Sequence, residues 1–165
     1  MNFLKSILII SMNTTPSIPN DHAAELGLVG AALQGKLDDI NSSGITAEHF
    51  HDAKCRKMWS KMDELNAEGT AVKLDTCAHS SAGEAGLLTA SDWLAAEEAC
   101  ASPTNWTYWA EACDEKRKAR LAQQTGLELA QTAATCESVE ELVAKAESLM
   151  FELSEKVATK GEGRK

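Results

Sequence analysis

The sequence predicts an all-α protein: a globular head of short helices followed by a long antiparallel two-helix hairpin. Three observations carry this. Alanine is abundant, whereas strand-type alternation of Val, Ile, Thr and aromatic residues is nearly absent. Proline is rare, with three residues and none beyond Pro103, so no ring breaks a helix in the long C-terminal stretch. That stretch ends in the cleanest amphipathic pattern of the chain, with Val139, Leu142, Val143, Ala146, Leu149, Met150, Leu153 and Val157 at three- and four-residue steps. With 44% apolar residues in 165, the chain suffices for one domain with an appendage.

Four segments follow in order: a flexible leader (1–17), the helical head (18–102), the hairpin (103–158) and a charged, glycine-containing linker (159–165). Residues 1–11 superficially resemble a signal peptide. Their apolar core is shorter than a secretory h-region, no small-residue cleavage site follows, and the run is far too short to span a membrane. Met12 is the expected natural start, with the first eleven residues an upstream extension; a short membrane or partner anchor is the alternative.

The head opens with a helix over 21–34. Asn20 or Asp21 supplies the cap, and Glu25 sits where the helix dipole favours an anion. Leu26, Val29 and Leu33 recur at helical spacing, and Gly27, Gly30, Ala31 and Ala32 leave room for close helix contact. Gly35 and Asn41-Ser42-Ser43-Gly44 bracket a short element over 36–40, and Thr46 caps a turn leading to Phe50. Residues 52–68 place Cys55, Met58, Trp59, Met62 and Leu65 on one helical stripe, stopped by Gly69. A short helix is expected over 72–80, then a loop at 81–86. Ala101-Ser102-Pro103-Thr104 marks the internal boundary.

Beyond Pro103 a long helix is expected over 105–135. Tyr108, Ala112, Ala119, Ala122, Gly126, Leu129 and Ala133 fall near one face, small enough for another helix to approach. Ala134 to Glu137 form the turn, and Ser138-Val139-Glu140-Glu141 reads as a capping box. A short loop between long helices implies an antiparallel hairpin. Two helices alone leave part of such a stripe wet, so the hairpin folds back on the head or pairs with another copy. Leu142, Ala146, Leu149, Leu153 and Val157 are the candidate oligomer interface.

Formal net charge is −9, the wrong sign for a protein that binds nucleic acid through its phosphates, so weak or no direct DNA binding is expected. Lys116, Arg117, Lys118 and Arg120 are a local exception. They read as a solvated helix face or as a docking patch for an acidic partner or phosphate backbone. The five cysteines, Cys55, Cys77, Cys100, Cys113 and Cys136, are dispersed, odd in number and without C-x-x-C, which suits reduced thiols in the cytoplasm. His49-x-His51-x-x-x-Cys55 is too sparse to specify zinc, because no second ligand pair lies nearby in sequence. No phosphate-cradling loop, nucleophile elbow or H-E-x-x-H occurs, and the carboxylates lie on predicted exposed faces. No catalytic residue, cofactor or metal is therefore expected, and no membrane association.

Several of these residues carry a resemblance. Pro19, Ala24-Glu25 and Val29-Gly30 are similar to the opening of the N-terminal domain of DnaB-type replicative DNA helicases. Ile45 to Phe50, the helix through Met58-Trp59, and Glu68-Gly69 through Thr76 resemble the segments that follow there. Trp93-Leu94-Ala95-Ala96 resembles its Tyr-Leu-x-x-Leu helix, with Trp for Tyr. Trp106 to Ala110, Lys116-Arg117 and Phe151 match its hairpin. Cys55 departs from the family, standing where many relatives carry His. The likeness spans 18–156.

The resemblance implies a non-catalytic collar in DNA replication and primosome assembly. Such domains dimerise through the hairpin, form a ring as a trimer of dimers, and receive the C-terminal domain of a DnaG-type primase or a helicase loader. The RecA-like ATPase motor that follows the linker in that family is not within these residues. The primase C-terminal domain shares the architecture and is a rival identity, but Ala24-Glu25-x-x-x-Val29-Gly30 favours the helicase side. The residues also leave open a generic helical adaptor and an enzyme with an unrecognised site.

Overall fold

The structure is a computed structural model and describes residues 17–82 and 88–158. The expectations for the leader up to residue 16, for most of the 81–86 loop and for the 159–165 linker lie outside the described residues. Helices account for the whole architecture, and no strand occurs among the described residues.

Helix α1 (His22–Ala31) is the centre of the head. Asp21 caps it, its carboxylate accepting the Ala24 N–H at 3.0 Å. The chain kinks through Ala32–Lys36, where Gly35 takes a φ of 92° that favours glycine, and re-enters helix as α2 (Leu37–Ser42). A single turn, Ala47–His49, is closed when the Thr46 N–H donates to His49 Nδ1 at 3.0 Å. Helix α3 (Ala53–Ala67) is capped by Asp52, and its whole predicted stripe from Cys55 to Leu65 is buried. Gly69, at φ 75°, ends it as expected.

Helix α4 (Leu74–Ser81) starts two residues later than the predicted 72. Helix α5 (Ala90–Ala99) begins at a reciprocal Thr89–Asp92 capping box. Its Trp93 is fully buried, and the indole Nε1–H donates to Ser81 Oγ at 3.3 Å. A turn at Pro103–Asn105 leads into α6 (Trp106–Thr135). Its 30 residues give a rod of about 45 Å. After the turn at Cys136, α7 (Val139–Ala158) returns along it. Ser138 Oγ accepts the Glu141 N–H at 3.1 Å, but the Glu141 carboxylate reaches one residue further than a capping box requires, to the Glu137 N–H at 3.3 Å.

The core forms where α1 meets α5 and α6. Leu28, Val29, Ala31 and Ala32 of α1 and the kink after it are wholly buried. The expected close approach is real at two glycines. A Cβ on Gly30 would overlap the Ala96 carbonyl oxygen and the Cys100 side chain of the α5 segment. A Cβ on Gly27 would stand 2.7 Å from the Trp109 ring of α6. In the same core, the Phe50 and Trp59 rings pack at 4.9 Å.

The small-residue face predicted for α6 is a different matter. Ala122, Gly126 and Ala133 are exposed, and a Cβ on Gly126 would meet nothing within 4 Å. Within the chain, α7 instead lies over the side of α6 that carries Leu121 and Thr125. No described helix is long and apolar enough to cross a membrane.

Candidate functional site

The hairpin presents two apolar faces, one against α6 and one outward. The candidate interface residues fall on the inner one. Leu149 is 5% exposed, and Leu142, Ala146, Leu153 and Val157 are half-buried on the same side of α7. The principal packing partner of α7 is α6, and Leu149 and Leu153 line one narrow crevice with Leu121, Gln124 and Thr125 of α6. Leu149 and Leu153 of the predicted stripe thus pack against α6 within the chain.

The second face lies beside that seam. Val139, Val143 and Met150 stand four and seven residues apart, 71%, 50% and 53% exposed, and Phe151 is 65% exposed. A helix normally turns polar residues outward. Here one outer strip of α7 carries four exposed apolar residues between Val139 and Phe151, interrupted by Glu147. The sequence contains this signal, because the apolar stripe of α7 is wider than one seam needs.

The basic run is largely engaged within the chain. Arg120 reaches back from α6 to the start of the head. Its Nη1 donates to the Pro19 carbonyl at 3.0 Å and its Nη2 to the His49 carbonyl at 2.8 Å. Arg117 and Lys118 hold Asp114, at 3.1 and 2.8 Å. Burial pushes the Asp114 carboxyl upward, but the hydrogen bonds from Lys118 and Arg117 outweigh it and hold the group below the usual carboxylate range. Among the described residues, Lys116 alone of the four makes no ion pair or side-chain hydrogen bond.

Asp114 also faces His49, whose Nε2 lies 3.4 Å from the carboxylate. His49 is buried, and Nδ1 accepts from the Thr46 N–H, which assigns the proton to Nε2. Burial lowers its pKa, the Arg117 charge lowers it further, and Asp114 only partly opposes them. These groups line a groove of about 690 Å³ between head and hairpin. Ile45 and Glu48 form one wall, Trp106, Ala110 and Leu121 of α6 the other, and Lys156 of α7 closes an end.

Glu25, expected with the other carboxylates on an exposed helix face, is instead a polar residue of the core. Glu25 is 1% exposed. Its two carboxylate oxygens accept the N–H groups of His51 and Asp52, at 2.8 and 2.9 Å, just ahead of α3. The available signal was periodicity, since Glu25 falls on the same stripe as Leu28, Val29 and Ala32.

Helix order, the α1 contacts and the long hairpin together define the comparison with known proteins. The N-terminal domain of DnaB helicase from Mycobacterium tuberculosis superposes with a TM-score of 0.72 at 20% identity, over 82% of this chain and 99% of that one. The chain has the fold of the DnaB N-terminal domain. A DnaB-like replicative helicase, solved in a study of its interactions with primase, superposes with a TM-score of 0.71 at 18% identity. That alignment covers 88% of this chain but only 33% of the helicase, so this chain spans about a third of that protein. No family model matches the sequence, and no curated protein matches it.

Proposed function

We propose that this chain is a non-catalytic assembly and partner-docking domain associated with a DnaB-like replicative helicase, acting in DNA replication and primosome assembly in the cytoplasm. The observation that carries the proposal is the apolar outer strip of α7, Val139, Val143, Met150 and Phe151, displayed on a fold that matches almost the whole of an isolated DnaB N-terminal domain. Large apolar side chains exposed together on one helix, here interrupted by Glu147, mark an interface. The occupant we assign to it is the hairpin of a second copy, giving a dimer that a trimer of dimers would repeat.

The further partner we propose is the C-terminal domain of a primase or a helicase loader. Its support is the helicase of matching fold whose interactions with primase were the subject of its structure. Direct DNA binding plays little part, given the charge of −9 and the internal pairing of Arg117, Lys118 and Arg120. The chain does no ATP chemistry by itself, having no phosphate loop. Calorimetric titration of the chain with the primase C-terminal domain from the same genome tests the partner assignment. Saturable binding supports it, and the absence of heat with both primase and loader contradicts it.

A further inference from the structure

The structure gathers three metal-ligating side chains that their spacing in sequence does not. His22 opens α1, Asp52 caps α3, and Cys55 lies one turn into α3. One ligand atom from each, an imidazole nitrogen, a carboxylate oxygen and the Cys55 Sγ, lie within 4.8 Å of one another. His22 Nδ1 stands 3.9 Å from Asp52 Oδ2. Asp52 caps the helix with its other oxygen, Oδ1, which accepts the N–H groups of Lys54 and Cys55 at 2.9 Å. Oδ2 is therefore available without loss of the cap. The His49–His51–Cys55 spacing contributes only Cys55, since His49 is turned to Thr46 and Asp114.

We infer that His22, Asp52 and Cys55 bind a divalent transition-metal ion of the zinc type. Imidazole, carboxylate and thiolate are all zinc ligands, at bond lengths of about 2.0–2.3 Å. A tetrahedral ion then sets its ligand atoms about 3.5 Å apart, so the observed set must close by roughly an ångström. His22 supplies that movement, because its side chain is 58% exposed. The floor of the site is fixed, with Cys55 wholly buried. A cleft of about 360 Å³ reaches His22 and Asp52, lined also by Asn20, Glu25, His51 and Ala53. It leaves a fourth position for water beside His22 and Asp52.

The negative charges of Asp52 and Glu25 act on the Cys55 sulfur, a field that attracts a cation. The neighbouring Lys54 ammonium is turned away to Asp92, at 2.7 Å. A bound ion replaces the thiol proton, which leaves to water in the cleft, and compensates both the thiolate and the carboxylates. Thiolate selects zinc or cobalt over magnesium or calcium, which take oxygen ligands.

The test is titration of the untagged, fully reduced chain with Co²⁺, read by absorption, with Zn²⁺ as competitor. The expected result is one cobalt per chain, a thiolate-to-cobalt charge-transfer band, and loss of that band on adding Zn²⁺. Cys55→Ser should abolish the band. His22→Ala, at an exposed position, should weaken cobalt binding by at least about tenfold while leaving the far-ultraviolet dichroism unchanged. Cys136→Ser, remote in the hairpin turn, should bind as the wild type does. No charge-transfer band at excess Co²⁺ overturns the inference, as does a band that survives Cys55→Ser. If Cys55→Ser fails to fold, His22→Ala decides, and wild-type cobalt affinity in that variant overturns it.

Discussion

The Glu25 carboxylate accepts the backbone N–H of Asp52 at 2.9 Å, joining the central helix of the head to the start of α3. The same group accepts the His51 N–H at 2.8 Å, and the side chain is buried. A carboxylate is costly to bury, and these two donors offset the cost. Glu25→Gln keeps the shape but turns an amide N–H₂ toward one of the donors. We expect it to lower stability by about 1–3 kcal/mol in urea denaturation. An unchanged midpoint would show that the bonds contribute nothing.

Arg120 and Lys116 separate a structural role from a surface one. Arg120 donates to backbone carbonyls of two segments far away in sequence, at Pro19 and His49. Arg120→Ala should cost about 1.5–3 kcal/mol, the range for hydrogen bonds to a charged group. Lys116→Ala should change stability by less than about 0.5 kcal/mol. Thermal melts of the two variants check this, and equal effects would count against it.

The glycines give a second contrast. At Gly30 an added Cβ would overlap the Ala96 carbonyl, so Gly30→Ala forces α1 and α5 apart and should destabilise by about 1–3 kcal/mol or more. At Gly126 the same Cβ meets open space in the middle of α6, and alanine should stabilise the helix by roughly 0.5–1 kcal/mol. Opposite signs are expected in denaturant titration.

These pairs show what the sequence disclosed and what it withheld. Periodicity found the buried stripe from Cys55 to Leu65, and Gly69 found its end, because both signals are local. The closeness at Gly27 and Gly30 was legible because small residues on one turn leave no other use for the space. The function of Arg120 was not legible. Its partners are backbone carbonyls about 70 and 100 residues away, and a carbonyl has no side-chain signature. The His22–Asp52–Cys55 cluster was hidden for a similar reason, since His22 comes from a different helix. The hairpin was legible as a hairpin, but which part of a wide apolar stripe would be left exposed depended on the rotation of α7 against α6.

His49 makes stability pH-dependent. Its pKa in the folded protein lies below the ordinary 6.5, set first by burial and then by Arg117. The unfolded chain therefore binds the proton first as pH falls. This contribution is complete above the unfolded pKa and is lost as pH drops through it toward the folded value. Asp114 adds a loss in the same direction at lower pH, in the carboxylate range. Melting temperature should fall between about pH 7 and 5, and His49→Gln should flatten that part of the profile. A profile of equal slope in the variant would assign the dependence elsewhere.

In the proposed dimer the outer strip of α7 meets a second copy, while the inner stripe holds each hairpin together. Sedimentation of the wild type and two variants separates these roles. The wild type should be dimeric at micromolar concentration. Val143→Glu combined with Met150→Glu places charge on residues 50% and 53% exposed in the single chain, and should give a monomer that melts as cooperatively as before. Ala146→Glu, half-buried in the seam with α6, should instead lower the melting temperature. A wild type that stays monomeric at high micromolar concentration, or a double variant that still dimerises, would show that the outer strip is not the interface.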